Sequence, residues 1–178
     1  STAIYTATAT DPDANTILTY SISGGADATL FNINSATGAV TFAASPNFEA
    51  PSDVGRDNIY DIVVQASDGL LTASQAVTII VMNVNEAPTI TSLATASTPE
   101  NVSTSTTVYT VTATDPDVDA RLFYSIVGGA DATHFNIDAY TGAVTFKTSP
   151  NFEAPSDNGA NNVYDIIVQA SDGSLVAT

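Results

Sequence analysis

The chain repeats itself. Asp11-Pro12-Asp13 returns as Asp115-Pro116-Asp117, 104 residues later, and the same offset carries Tyr20 to Tyr124, Phe48 to Phe152 and Asp68 to Asp172. No gap is needed anywhere, and roughly two thirds of the paired positions are identical. Stacked solenoid units repeat every ~20–50 residues and share one continuous core. A period of about 100 residues is long enough for each copy to close its own core, so each copy is a domain. The division expected is 1–86 and 87–178.

The texture within a copy is all-β. Tyr5, Ala7 and Ala9 alternate with Thr6, Thr8 and Thr10, which gives one strand an apolar and a hydroxyl face. Pro12 ends its pairing. Further strands are expected over Leu18 to Ser23, Leu30 to Ile33, Ala39 to Ala43, Tyr60 to Ser67 and Thr72 to Met82, with Gly24-Gly25, Thr37-Gly38 and Asp68-Gly69 as turns. Between Ser45 and Asn58 runs a long loop, and loops of that length in a compact domain are functional or specially packed. Phe48 is read as its anchor into the core, and Asp53, Asp57 and Asp157 as solvated. The second copy adds a front strand, Thr89 to Ala96, that the first lacks, and stops short of the counterpart of Gln75 to Asn83. The fold class expected is therefore two tandem Greek-key, seven-stranded β-sandwiches of immunoglobulin-like design, each truncated by one edge strand. A start in mid-strand marks a fragment or processed piece, and an open sheet edge can pair with another chain.

Charge narrows the partners. Nineteen acidic residues face three Lys plus Arg, a net charge of −16. Nucleic acid needs a basic stripe, so it is excluded as a partner, and anionic membrane surfaces are disfavoured. Cations are the natural partners. With no Cys there is no disulfide staple, and bound metal can take that place. No run of about 18 apolar residues occurs, so no membrane insertion is expected.

The acids and amides gather at strand ends. Asp115 and Asp117 close one strand and Asp172 another, Asn47 and Glu49 sit on the long loop, and Asn83, Asn85 and Glu86 lie in the segment joining the copies. Alternate strand ends of a sandwich share a pole, so these groups are expected to converge at the joint, where five carboxylates would repel without a cation. Calcium takes about 6–8 hard oxygen ligands and suits this set. Zinc and copper are offered little, because the lone His134 has no ligand neighbour in sequence.

The order of motifs resembles tandem cadherin-like repeats of large secreted bacterial adhesins and surface proteins. Pro99-Glu100-Asn101 is similar to the family's Pro-Glu-Asn motif, Asp11-Pro12-Asp13 and Asp115-Pro116-Asp117 to its Asp-x-Asp, and Ala66-Ser67-Asp68 and Ala170-Ser171-Asp172 to its Ala-x-Asp segment. Asn47-Phe48-Glu49 and Asn151-Phe152-Glu153 stand where the family has Asp-Arg-Glu, and Asn83 to Pro88 where it has its calcium-binding linker. The resemblance implies Ca2+ at a central joint formed by Asn47, Glu49, Asn83, Asn85, Glu86, Asp115, Asp117 and Asp172. It implies half-sites at Asp11, Asp13 and Asp68 toward a preceding repeat, and at Glu100, Asn151 and Glu153 toward a following one. Asn47 and Asn83 replace family acids, which is expected to weaken binding or lower the number of ions.

The implied function is a calcium-binding structural or adhesion module, extracellular or at the cell surface, with neighbouring repeats, like chains, or a cell-surface glycan or protein as partners. Alternatives are a filament subunit joined by strand donation and a carbohydrate-binding accessory module; the latter is disfavoured by the absence of Trp and by aromatics on inward positions. No enzyme is expected: there is no Cys nucleophile, and the acids repeat in both copies in a ligand-like pattern. His134, in the place of Leu30, reads as a half-buried bystander, and Tyr140, in the place of Ala36, as surface. Asn101-Val102-Ser103 is a glycosylation sequon.

Overall fold

The fold is that of a computed structural model, which describes residues 2–13 and 15–178. Ala14, beside the Asp11-Pro12-Asp13 turn, lies outside them. The chain falls into two compact units, Ser1–Val84 and Asn85–Thr178.

Unit 1 is a two-sheet sandwich. One sheet has the order β1–β4–β3, from β1 (Tyr5–Thr6), β3 (Phe31–Ile33) and β4 (Ala39–Phe42). The other has the order β2–β5–β6, from β2 (Thr19–Gly24), β5 (Ile59–Ser67) and β6 (Thr72–Ile80). All pairings are antiparallel. The non-sequential neighbours, β1 with β4 and β2 with β5, mean that the chain crosses between sheets. The alternation along β5 explains the core: Tyr60, Ile62 and Val64 are buried, and Ile59 and Asp61 face out. Phe31 and Phe42 pack against each other at 4.6 Å, and Tyr60 meets both edge-on at 5.9 and 5.2 Å.

Unit 2 repeats this frame. Its sheets are β11 (Phe135–Ile137), β12 (Ala143–Phe146) and β8 (Tyr109–Thr110), and β10 (Phe123–Gly128), β13 (Ile167–Ser171) and β14 (Val176–Ala177). A short extra pair joins β7 (Thr89–Ile90) to β9 (Ala113–Thr114). One stretch of chain, 109–114, thus serves two sheets, with Val111 buried at the changeover. The aromatic cluster recurs as Phe135, Phe146 and Tyr164.

Several expectations are corrected. The front strand of unit 2 is ordered as strand only over Thr89–Ile90, because Thr91 and Ser92 both spend their N–H groups on Thr112 O and Leu93 turns out to solvent. The third strand of each copy is preceded by a single 3-10 turn, Ala28–Leu30 and Ala132–His134. Phe48 is no core anchor: it is 36% exposed, and Phe152 64%. Nor are Asp53 and Asp157 solvated, for they are 3% and 6% exposed.

Buried carboxylates hold the long loop instead. Asp27 accepts hydrogen bonds from Val54 N (2.7 Å) and Asp61 N (2.8 Å), which ties loop to strand. Asp53 accepts from Asp57 N and Asn58 N, and Asn58, at φ +65°, donates Nδ2 to Phe48 O. Unit 2 builds the same brace with Asp131, Asp157 and Asn162. An ionised carboxylate with two backbone donors satisfies groups that burial would otherwise penalise. Gly25, at φ +105°, lets the turn carrying Asp27 lie against β5, since a Cβ there would collide with Asp61 O and Ile62 Cα.

Candidate metal centre

At one pole of unit 2 the acids form a connected chain. Asp115 follows β9 directly, and its Oδ1 accepts from Asp117 N at 3.0 Å, a local turn that Pro116 favours. Asp117 Oδ2 accepts from Glu86 N at 3.0 Å. Asp172 opens the turn after β13: its Oδ1 takes Ser174 N and Leu175 N at 2.6 and 2.7 Å, and its Oδ2 takes Asn85 Nδ2 at 2.7 Å. The N–H groups of Leu175 and Ser174, then the Asn85 amide, hold Asp172 below its ordinary pKa of 3.8. Asn85, Glu86, Asp115, Asp117 and Asp172 are therefore brought to one place, and Pro88, buried, fixes the chain that leads from it into β7.

Asp115 Oδ2 decides what this place suits. It is shut off from solvent with no hydrogen-bond partner. An ionised oxygen in that state is costly unless a cation faces it. The donor set is wholly oxygen, the chemistry of a hard divalent cation, and it fits calcium.

In unit 1, Asn47 Oδ1 accepts from Glu49 N at 3.0 Å, which sets the turn that aims Glu49, and Glu49 Oε1 is buried without a hydrogen-bond partner. Asn83 lies in the exposed extended segment after β6. Asp11 Oδ1 accepts from Asp13 N, and Asp68 Oδ1 from Leu70 N and Leu71 N. The two backbone groups, Leu71 first, lower the pKa of Asp68. At the other pole of unit 2, Glu100 Oε2 accepts from Phe152 N, Asn101 N donates to Pro150 O, and Asn151 Oδ1 accepts from Glu153 N, so Glu100, Asn151 and Glu153 are neighbours.

Sequence reasoning passed over Asp27 and Asp131, which hold the loops that carry Glu49 and Glu153. The available signal was a shared Gly-Gly-Ala-Asp in both copies, at Gly24 to Asp27 and Gly128 to Asp131.

The family model described as Cadherin domain matches twice, over residues 1–85 and 94–177. The chain belongs to the cadherin-domain family. Relatives include mouse Protocadherin Fat 2, 32% identical over 87% of this chain and 3% of that protein, and human Protocadherin-16, 33% identical over 93% and 5%. Halomucin of Haloquadratum walsbyi is 42% identical over 39% of the chain and 1% of its own length. The chain thus spans a few per cent of these curated relatives. Among solved structures, human Protocadherin-24 EC1-2 is similar with a TM-score of 0.68, at 24% identity, over 96% of this chain and 78% of that one. That likeness is one of fold: two all-β cadherin domains in tandem. Cadherin domains are typically calcium-binding adhesion modules. No helix among the described residues is long and apolar enough to cross a membrane.

Proposed function

We propose that the chain is a calcium-binding segment of a large extracellular or cell-surface protein, in which Ca2+ stiffens the joint between tandem cadherin repeats. The observation that carries this reading is the buried, unpartnered Asp115 Oδ2 among Asn85, Glu86, Asp117 and Asp172. In this reading Asn47, Glu49 and Asn83 of repeat 1 complete the ligand shell. The ion would supply charge neutralisation alone. Asp115, Asp117, Asp172, Glu49 and Glu86 hold it, Asn85 orients Asp172, and the Asn47 turn aims Glu49. Asp11, Asp13 and Asp68, and Glu100, Asn151 and Glu153, are incomplete sets that further repeats would complete. The family resemblance together with halomucin favours a prokaryotic surface protein as the parent.

Isothermal titration of the intact chain with calcium tests this. Binding that Asp117→Asn weakens at least about tenfold, as loss of a charged ligand demands, is the expected result. Equal binding by Asp117→Asn and the parent chain would place the ions elsewhere.

A further inference from the structure

The two repeats share a frame, so positions where they differ sharply are informative. Four such differences converge on one seam of unit 2. At the positions of Thr19, Leu30, Ala36 and Ala43, unit 2 carries Phe123, His134, Tyr140 and Lys147. The seam runs between β10 and β11, which are the outer strands of their sheets. A groove of about 460 Å³ lies along it, lined by Ser125, Ile126, Thr133, Phe135, Asn136 and Lys147 among others.

The seam carries two chemistries. Outside the groove's lining, at the start of β10, Phe123 and Tyr140 form an edge-on pair with ring centroids 5.7 Å apart, and Tyr140 is 72% exposed. Tyr124 N to Ala139 O, at 2.9 Å, ties β10 to the turn after β11, and Phe123 shares a face of β10 with Ser125 of the groove. Asp138 Oδ1 accepts from Tyr140 N and Thr141 N, which fixes the turn that presents Tyr140. Within the groove's lining stands Lys147, the chain's one lysine, whose Nζ donates to Thr133 O at 2.9 Å. That bond uses one of three ammonium protons and leaves two for a ligand. Lys147 N also donates to His134 O, which holds the backbone that carries the cation.

We propose that this seam binds a short oligosaccharide carrying a uronate carboxylate at one end. Lys147 is the one basic residue lining the groove, on a chain of net charge −16, and it matches one carboxylate, whereas a polyanion would be repelled by the remaining surface. Hydroxyl and amide groups of Ser125, Thr133 and Asn136 suit sugar hydroxyls, and the exposed Tyr140 ring offers a face for stacking a sugar ring.

The test compares a glucuronate-terminated trisaccharide with the same trisaccharide ending in glucose, titrated into the full chain with calcium present throughout. The uronate sugar binds, and the neutral one binds at least about tenfold more weakly. Lys147→Ala removes the difference between them. Phe123→Thr with Tyr140→Ala weakens both about tenfold. These variants install the residues that repeat 1 folds around at the matching positions. Equal affinity for the two sugars, indifference to the three seam substitutions, or no binding of the uronate sugar overturns the proposal.

Discussion

The turns that end β5 and β13 are the same turn in different company. Asp68 and Asp172 each accept two backbone N–H groups through Oδ1, at 2.6–2.7 Å. Asp11 and Asp115 likewise each accept the N–H two residues on. What separates the copies is the segment in front of repeat 2. Asn85 adds a bond to Asp172 Oδ2, and Glu86 N adds one to Asp117 Oδ2. Among the described residues Asp68 has no such second bond. Each repeat therefore carries its own acidic turns, but the preceding linker gathers them into a ligand set. Under the proposed reading, a metal centre built this way belongs to a joint and not to a domain.

The largest effect should fall equally on both copies, because it removes what they share. Asp27→Ala and Asp131→Ala each leave two backbone donors without their acceptor and free the long loop from its strand, and each should cost roughly 3 kcal/mol or more in urea unfolding. A loss confined to one repeat would show that the loop brace is not common to them. Next comes the feature that differs. Calcium at about a hundred times its Kd should add about 2.7 kcal/mol. Asp117→Asn should remove most of that gain and Asp13→Asn little of it, read by thermal unfolding at fixed calcium. Acid sharpens the same contrast. Asp53, Asp68, Asp157 and Asp172 are held below their ordinary pKa of 3.8. For Asp53 and Asp157, backbone hydrogen bonds outweigh the upward push of burial. A lowered folded pKa contributes stability above the unfolded value that is lost as pH falls through the folded one. Calcium-free protein should thus keep its stability down to about pH 4 and lose it below, in both repeats. The smallest effect is expected at the seam: Tyr140→Ala, at a mostly exposed side chain, should change stability by no more than about 0.5 kcal/mol.

Much of this was legible in the sequence, for identifiable reasons. The 104-residue offset and the period-two patterns at Tyr5 to Thr10 and along β5 report burial on a pleated sheet, and the burial follows them residue by residue. Proline and glycine turns mark strand ends because they act locally. The long loop was misread because its braces act across distance. Asp27 lies 27 residues from Val54 and 34 from Asp61, and the Gly-Gly-Ala-Asp repeated around it marks a shared feature without saying what the carboxylate holds. Once Asp27, Asp53 and Asn58 hold the loop, Phe48 has no anchoring duty and stays partly exposed. Thr89 to Ala96 read as one strand by composition, but Tyr109 OH takes Ser92 Oγ and Leu93 O into side-chain bonds, and the ladder stops. The acids at the pole were visible as residue types. Their order, with Asn85 on Asp172 and Glu86 on Asp117, required the fold.

Scanning calorimetry of the intact chain, in calcium and then in excess chelator, tests the central claim most directly. An ion that neutralises Asp115, Asp117, Asp172, Glu49 and Glu86 should raise the unfolding temperature in calcium, and Asp115→Asn should abolish the shift. Superimposable scans in calcium and chelator would contradict a calcium-bound joint.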